Sequence, residues 1–122
     1  MGKAFRSSKS RHIVIVDSND ELREDVEVHL AIQGHSVVTH VDAKHYPQSR
    51  SDVPDLLVLN LDGDGMRGEI ALAELSAQKR LGPTLTIGSG PSVYEESQIM
   101  AIDLGHPTVE SMISVIKDYL KR

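Results

Sequence analysis

His12-Ile-Val-Ile-Val16, running directly into Asp17-Ser-Asn-Asp20, is the stretch that decides the fold. Ile13, Val14, Ile15 and Val16 are four consecutive β-branched residues with no polar alternation. That is the signature of a strand covered on both faces. The cluster after it is rich in helix-capping side chains, and Glu21 follows in what would be the first helical turn. The next segment places Leu22, Val26, His29 and Leu30 on one helical face, with Arg23, Glu24 and Glu27 elsewhere, and it stops at Gly34. A strand, a cap and an amphipathic helix in this order make the first half of a β-α-β unit.

The same alternation continues down the chain. Ser36-Val-Val-Thr-His40 reads as a second strand, and residues 42–53 are polar and contain Pro47, so any helix there is short or irregular. Leu56-Leu-Val-Leu59 is a third strand that runs into Asn60-Leu-Asp-Gly-Asp-Gly65. Glu69 to Leu81 is helix-prone and is closed by Gly82-Pro83. Thr84-Leu-Thr-Ile87 is a fourth strand, broken by Gly88-Ser-Gly-Pro91, and Ser92 to Gln98 is weakly helical. Ile99-Met-Ala-Ile102 fits a helix or a strand by pattern alone. Val109, Met112, Ile113, Ile116 and Leu120 form a helical stripe expected to be core. Strands alternating with helices predict a parallel sheet covered on both faces. In such folds the site lies beyond the carboxyl ends of the strands, at Asp17, Ser18, Asn60, Asp62 and Gly88 and after the fifth strand.

Composition bounds the chemistry. The chain has 122 residues, one domain's worth, and no cysteine, which excludes disulfides, thiolate metal sites and cysteine catalysis. Aromatics are 3%, too few for a base-stacking surface, so the core must be aliphatic. The first eleven residues hold Lys3, Arg6, Lys9 and Arg11 and no acid. Setting those four aside from 13 bases leaves nine against 18 acids, so the rest of the chain carries −9. A body that acidic repels phosphates, and no direct nucleic-acid binding by this domain is expected. Residues 1–11 are expected to be a flexible basic leader and residues 12–122 the domain proper. No apolar run approaches the ~20 residues of a bilayer span, and no signal peptide opens the chain, so a cytoplasmic location is expected.

Five segments, in order, carry a resemblance to a known family. Ile13-Val-Ile-Val-Asp-Ser-Asn-Asp-Glu-Leu-Arg23 and Gly34-His-Ser-Val-Val38 are similar to the opening of response-regulator receiver domains. Pro54-Asp-Leu-Leu-Val-Leu-Asn-Leu-Asp-Gly-Asp-Gly-Met-Arg-Gly68 resembles the family's phosphoacceptor segment. Pro83-Thr-Leu-Thr-Ile-Gly88 resembles its fourth strand, and His106-Pro107 its Lys-Pro step. The resemblance covers residues 12–121. It implies an α/β, flavodoxin-like, doubly wound sheet of five parallel strands in the order 2-1-3-4-5. Because Gly88 to His106 is short, it also implies a fourth helix that is short or disordered.

The resemblance implies a pocket of five groups: two carboxylates after strand one for Mg²⁺, a phosphoacceptor Asp after strand three, a hydroxyl after strand four and a lysine after strand five. Carried over residue by residue, Asp17 keeps the first carboxylate and Ser18 replaces the second. Asn60 stands at the phosphoacceptor position, Gly88 replaces the hydroxyl residue and His106 replaces the lysine. An amide oxygen is a far weaker nucleophile than a carboxylate and forms no acyl phosphate. One remaining carboxylate is expected to hold Mg²⁺ weakly at most, so no cofactor is expected, with Asp17 and Asp62 as weak metal candidates. Asp103 stands where many members place an aromatic, so the usual rotamer readout is expected to be absent.

The resemblance therefore implies an atypical, non-catalytic receiver of bacterial two-component or phosphorelay signalling. Such a domain is a regulatory, dimerisation or protein-interaction module, working through an attached or partner output such as a transcription regulator. Exposed parts of Ser111 to Leu120 are its expected interface. Two alternatives stay open: an anion- or small-molecule-binding pseudo-receiver, using the glycines at 63, 65, 88 and 90, and a conventional Mg²⁺-dependent phospho-receiver. Asn60-Leu-Asp-Gly-Asp64 also resembles the loop of haloacid-dehalogenase phosphatases, but its nucleophile position is again Asn60. As a calcium loop it lacks Glu at the twelfth position, which is Ala71. The six histidines, His12, His29, His35, His40, His45 and His106, show no metal-ligand spacing. His29 is expected on the inner face of its helix, and His106 facing the altered pocket.

Overall fold

A computed structural model describes residues 10–41, 54–60, 82–88, 99–102, 104 and 107–121. Its strands are β1 (His12–Val16), β2 (Ser36–His40), β3 (Leu56–Asn60), β4 (Thr84–Ile87) and β5 (Ile99–Ile102). The two described helices are α1 (Asp20–Ile32) and α2 (Val109–Leu120). The strands form one sheet in the order β2-β1-β3-β4-β5, and every neighbouring pair is parallel. The ambiguous segment 99–102 is a strand, because a parallel partner at β4 supplies the backbone hydrogen bonds that its sequence pattern leaves open.

The aliphatic runs fall where continuous apolarity requires. Ile13 to Val16, all of β3 and all of β4 are buried, and the edge strand β2 alternates between exposed and half-buried positions. Ile15, Val58, Leu85, Val26, Leu30 and Met112 lie in one core cluster to which sheet and helices both contribute. Each such side chain contributes roughly 1.5–3 kcal/mol relative to exposure.

Both helices begin and end by local chemistry. The Asn19 side chain accepts from the Leu22 N–H at 3.1 Å to cap α1, with Asp20 and Glu21 favourably placed in its first turn. Past the end of α1, Gly34 takes φ of +93°, a left-handed conformation that glycine adopts without a Cβ clash. At α2, Thr108 accepts from the Ser111 N–H at 3.1 Å and Ser111 Oγ accepts from the Thr108 N–H at 2.9 Å, a reciprocal capping box. Met112, Ile113 and Ile116 are buried, and Val109 and Leu120 pack at the margin of the core, so this stripe is core as expected.

Two positions on α1 differ from the sequence reading. Arg23, expected away from the buried face, is only 7% exposed, and His29, expected inside, is exposed, its Nδ1 lying 2.9 Å from the Asp25 carbonyl. The buried arc is rotated: it runs from Leu22 through Val26 and Leu30 to Arg23, and His29 falls just past its other edge. Of the leader expected over residues 1–11, residues 1–9 lie outside the described residues, as do the expectations for residues 42–53, the helix at 69–81, the weak helix at 92–98 and the short fourth helix. Among the described residues, no helix is long and apolar enough to cross a membrane.

Candidate functional site

Sheet register alone brings the candidate residues together. Val16 pairs with Leu59 and Asn60 pairs with Ile87, so Asp17, Asn60 and Gly88 emerge side by side at the carboxyl ends of β1, β3 and β4. The Asp17 N–H is held by the His40 carbonyl at 3.1 Å, and the Gly88 N–H by the Ile102 carbonyl at 3.2 Å, so β2 and β5 fix the outer limits of this row. Asp17 is 1% exposed and Asn60 6% exposed, whereas Ser18 points to solvent and Gly88 is half-buried. His106, Asp62 and Asp103 lie outside the described residues.

The carboxylate of Asp17 is the electrostatic centre. One oxygen accepts from the Asn19 N–H at 2.9 Å and the other from Asn60 Nδ2 at 3.1 Å. An ionised carboxylate only accepts, so this contact sets the orientation of the Asn60 amide, with its NH₂ toward Asp17. Burial pushes the Asp17 carboxyl above its ordinary value of 3.8, opposed by the Asn19 and Asn60 hydrogen bonds and by the positive field of Arg23.

Arg23 is the residue that sequence reasoning missed. Its Nη1 donates to the Asp17 main-chain carbonyl at 2.8 Å, and its Nη2 pairs with Asp20 Oδ1 at 2.8 Å. Asp20 is largely exposed, so the ion pair contributes at most about 1 kcal/mol. The buried bond to the Asp17 carbonyl is the stronger reason for the arginine to turn inward. The only sequence signal was its spacing: Arg23 lies one residue past Leu22 and three before Val26, on the edge of the buried arc.

The donor set can be tested against Mg²⁺, the cation the family resemblance implies. A hard cation wants several oxygen lone pairs converging on one point. Here both Asp17 oxygens already accept N–H bonds, Asn60 turns hydrogen atoms rather than lone pairs toward Asp17, and Ser18 is directed to solvent. Among the described residues at these strand ends Asp17 is the one carboxylate, and it does not by itself make a Mg²⁺ site. Nor does any group of three or more His, Asp or Glu among the described residues form a metal site.

No protein-family model matches the sequence, and no curated protein matches it. Solved structures do match the fold. A response regulator receiver domain protein from Bacillus halodurans superposes with a TM-score of 0.72 at 15% identity, covering 91% of this chain and 97% of that one. The chemotaxis response regulator CheY4 of Vibrio cholerae gives 0.70 at 15% identity, covering 91% and 99%. The receiver domain of a Francisella response regulator gives 0.68 at 12% identity, covering 92% and 98%. The chain is thus similar in fold to receiver domains over nearly their whole length, and at these identities the likeness is one of fold.

Proposed function

We propose that this receiver-fold chain is a pseudo-receiver: a regulatory module of bacterial two-component signalling that does not take phosphoryl on its third strand. The observation that carries the reading is the bond from Asn60 Nδ2 to Asp17 Oδ2 at 3.1 Å. At the position where the resemblance puts a nucleophile, the chain has an amide whose nitrogen lone pair is delocalised and whose N–H is committed to its neighbour. An amide oxygen attacks phosphorus poorly, and no carboxylate is present there to form an acyl phosphate.

The charge balance supports the same reading. Two carboxylates side by side in a buried pocket need compensating positive charge between them, a cation or a shared proton. One carboxylate and one amide satisfy each other without it. The half-buried Gly88 has no hydroxyl with which to hold a phosphoryl oxygen.

Output then rests on association: dimerisation or docking to a partner or attached output domain, such as a transcription regulator, without a phosphorylation step. The outward positions of α2, among them Ser114, Lys117 and Asp118, are exposed and form the proposed contact face. Incubation with acetyl phosphate and Mg²⁺, followed by intact-mass measurement, tests the proposal. An unchanged mass is expected; a phosphoryl adduct mapping to the loop after β3 would overturn it.

A further inference from the structure

At the opposite end of the sheet, His35 joins the segment at residues 10–11 to α1, and Arg11 reaches on to α2. The Arg11 N–H donates to His35 Nδ1 at 3.1 Å, and the Arg11 carbonyl accepts from the Ser36 N–H at 2.9 Å. Ser10 Oγ donates to the Gly34 carbonyl at 2.8 Å. The Arg11 side chain reaches across to α2, where Nη2 lies 3.4 Å from the Leu120 carbonyl, a cation beside the carboxyl end of a helix. His35 itself is tied to α1 through its N–H on the Leu30 carbonyl at 3.2 Å.

The protonation state of the ring follows from its partner. A backbone N–H can only donate, so Nδ1 must present its lone pair and the ring proton must sit on Nε2. A second proton on Nδ1 would set donor against donor and place a cation beside the Arg11 guanidinium. We propose that His35 is a proton-operated latch that joins the segment at residues 10–11 to the α1–β2 turn and, through Arg11, to the last turn of α2. Acidification opens it.

The surroundings favour this response. Burial, and then the charge of Arg11, hold the ring below its ordinary value of 6.5. A group whose value is lowered by folding contributes stability above its unfolded value and loses it as pH falls through the folded one. Among the described residues, two further titratable groups stand at the amino ends of the neighbouring strands. The Nδ1 of His12 on β1 lies 3.4 Å from Ser36 Oγ, and the Asp55 carboxylate before β3 accepts from the His12 N–H at 2.7 Å. Asp55 is thus engaged with the β1 backbone.

Amide hydrogen exchange on the whole chain, corrected for intrinsic rates, tests the latch. Between about pH 7.5 and about pH 5 the wild type is expected to lose Arg11 protection by about tenfold. His35→Asn carries an amide oxygen near the place of Nδ1 and is expected to keep that protection at both pH values; His35→Ala is expected to lack it at both. Equal wild-type protection at the two pH values, or the same pH response in His35→Asn, would overturn the proposal. Should His35→Asn fail to fold, the wild-type imidazole ¹⁵N shifts decide: a proton on Nε2 is expected at neutral pH, and one on Nδ1 overturns it.

Discussion

The two ends of the sheet treat their polar groups in opposite ways. At the carboxyl ends, a buried acid, Asp17, is met by a backbone N–H and a neutral amide that never titrates. At the amino ends, a half-buried imidazole, His35, is met by a backbone N–H that demands one of its two protonation states. Both arrangements satisfy their hydrogen bonds at neutral pH, yet they respond differently to the solvent. At the first, Asn60 carries no charge at any pH, and burial holds the Asp17 carboxyl above its ordinary value. The second keeps an imidazole, held below its ordinary value by burial and by the charge of Arg11. At the end where the receiver resemblance puts chemistry, the one buried carboxylate is satisfied by neutral donors, and at the other end a hydrogen bond depends on the protonation of its acceptor.

The comparison can be broken from the core outward. Leu85→Ala removes a fully buried side chain from the strand between β3 and β5 and is expected to cost about 2–5 kcal/mol in urea unfolding. Because the core is shared, protection at Asn60 and at Arg11 should fall together. Loss at one end alone would mean that the two ends unfold independently.

Asn60→Asp attacks only the carboxyl end. It trades the hydrogen bond to Asp17 for a second buried carboxylate, and in the presence of a chelator it is expected to cost roughly 1–3 kcal/mol at neutral pH. Acidification should recover part of the loss, because a shared proton relieves the repulsion. The variant is not expected to become an efficient phosphoacceptor, since Ser18, Gly88 and His106 remain unsuited; rapid labelling would show the pocket to be more competent than its residues imply.

Arg23→Met is expected to cost about 1–3 kcal/mol by thermal or urea unfolding, chiefly through the lost bond to the Asp17 carbonyl. A negligible change would mean that the buried bond to the Asp17 carbonyl contributes no net stability.

The smallest effects are those of pH, and their signs differ between the ends. Asp17 has its value raised by folding above 3.8, so its contribution is full below 3.8 and declines as pH rises through the folded value. His35 has its value lowered below 6.5, so its contribution is full above 6.5 and declines as pH falls. Melting temperature across pH should therefore show a His35-dependent loss on the first descent from neutrality, absent in His35→Asn. A profile identical in the two proteins would erase the contrast.

How much of this was legible in the sequence depends on the length of the pattern. The buried strands and the α2 stripe were readable because many apolar residues repeat one period, and the strand order followed from the family resemblance. Single polar residues were not. Arg23 and His29 were assigned to the wrong sides of α1, since a rotation of the buried arc by less than one residue exchanges them. Asp17 and Asn60 were identified as neighbours by motif, but the direction of the Asn60 amide depends on which partner can only accept. The latch at His35 left no periodic trace, because it joins Arg11, Gly34 and Leu120 across the fold rather than along it.

The central claim is that neutral donors, rather than a cation, satisfy Asp17. The side-chain NH₂ resonances of Asn60, followed by NMR as Mg²⁺ is added to millimolar levels, test it directly. One hydrogen-bonded, exchange-protected Nδ2 proton whose shift stays constant throughout is the predicted result. A saturating shift in which the Asn60 amide leaves Asp17 as Mg²⁺ binds would contradict the account.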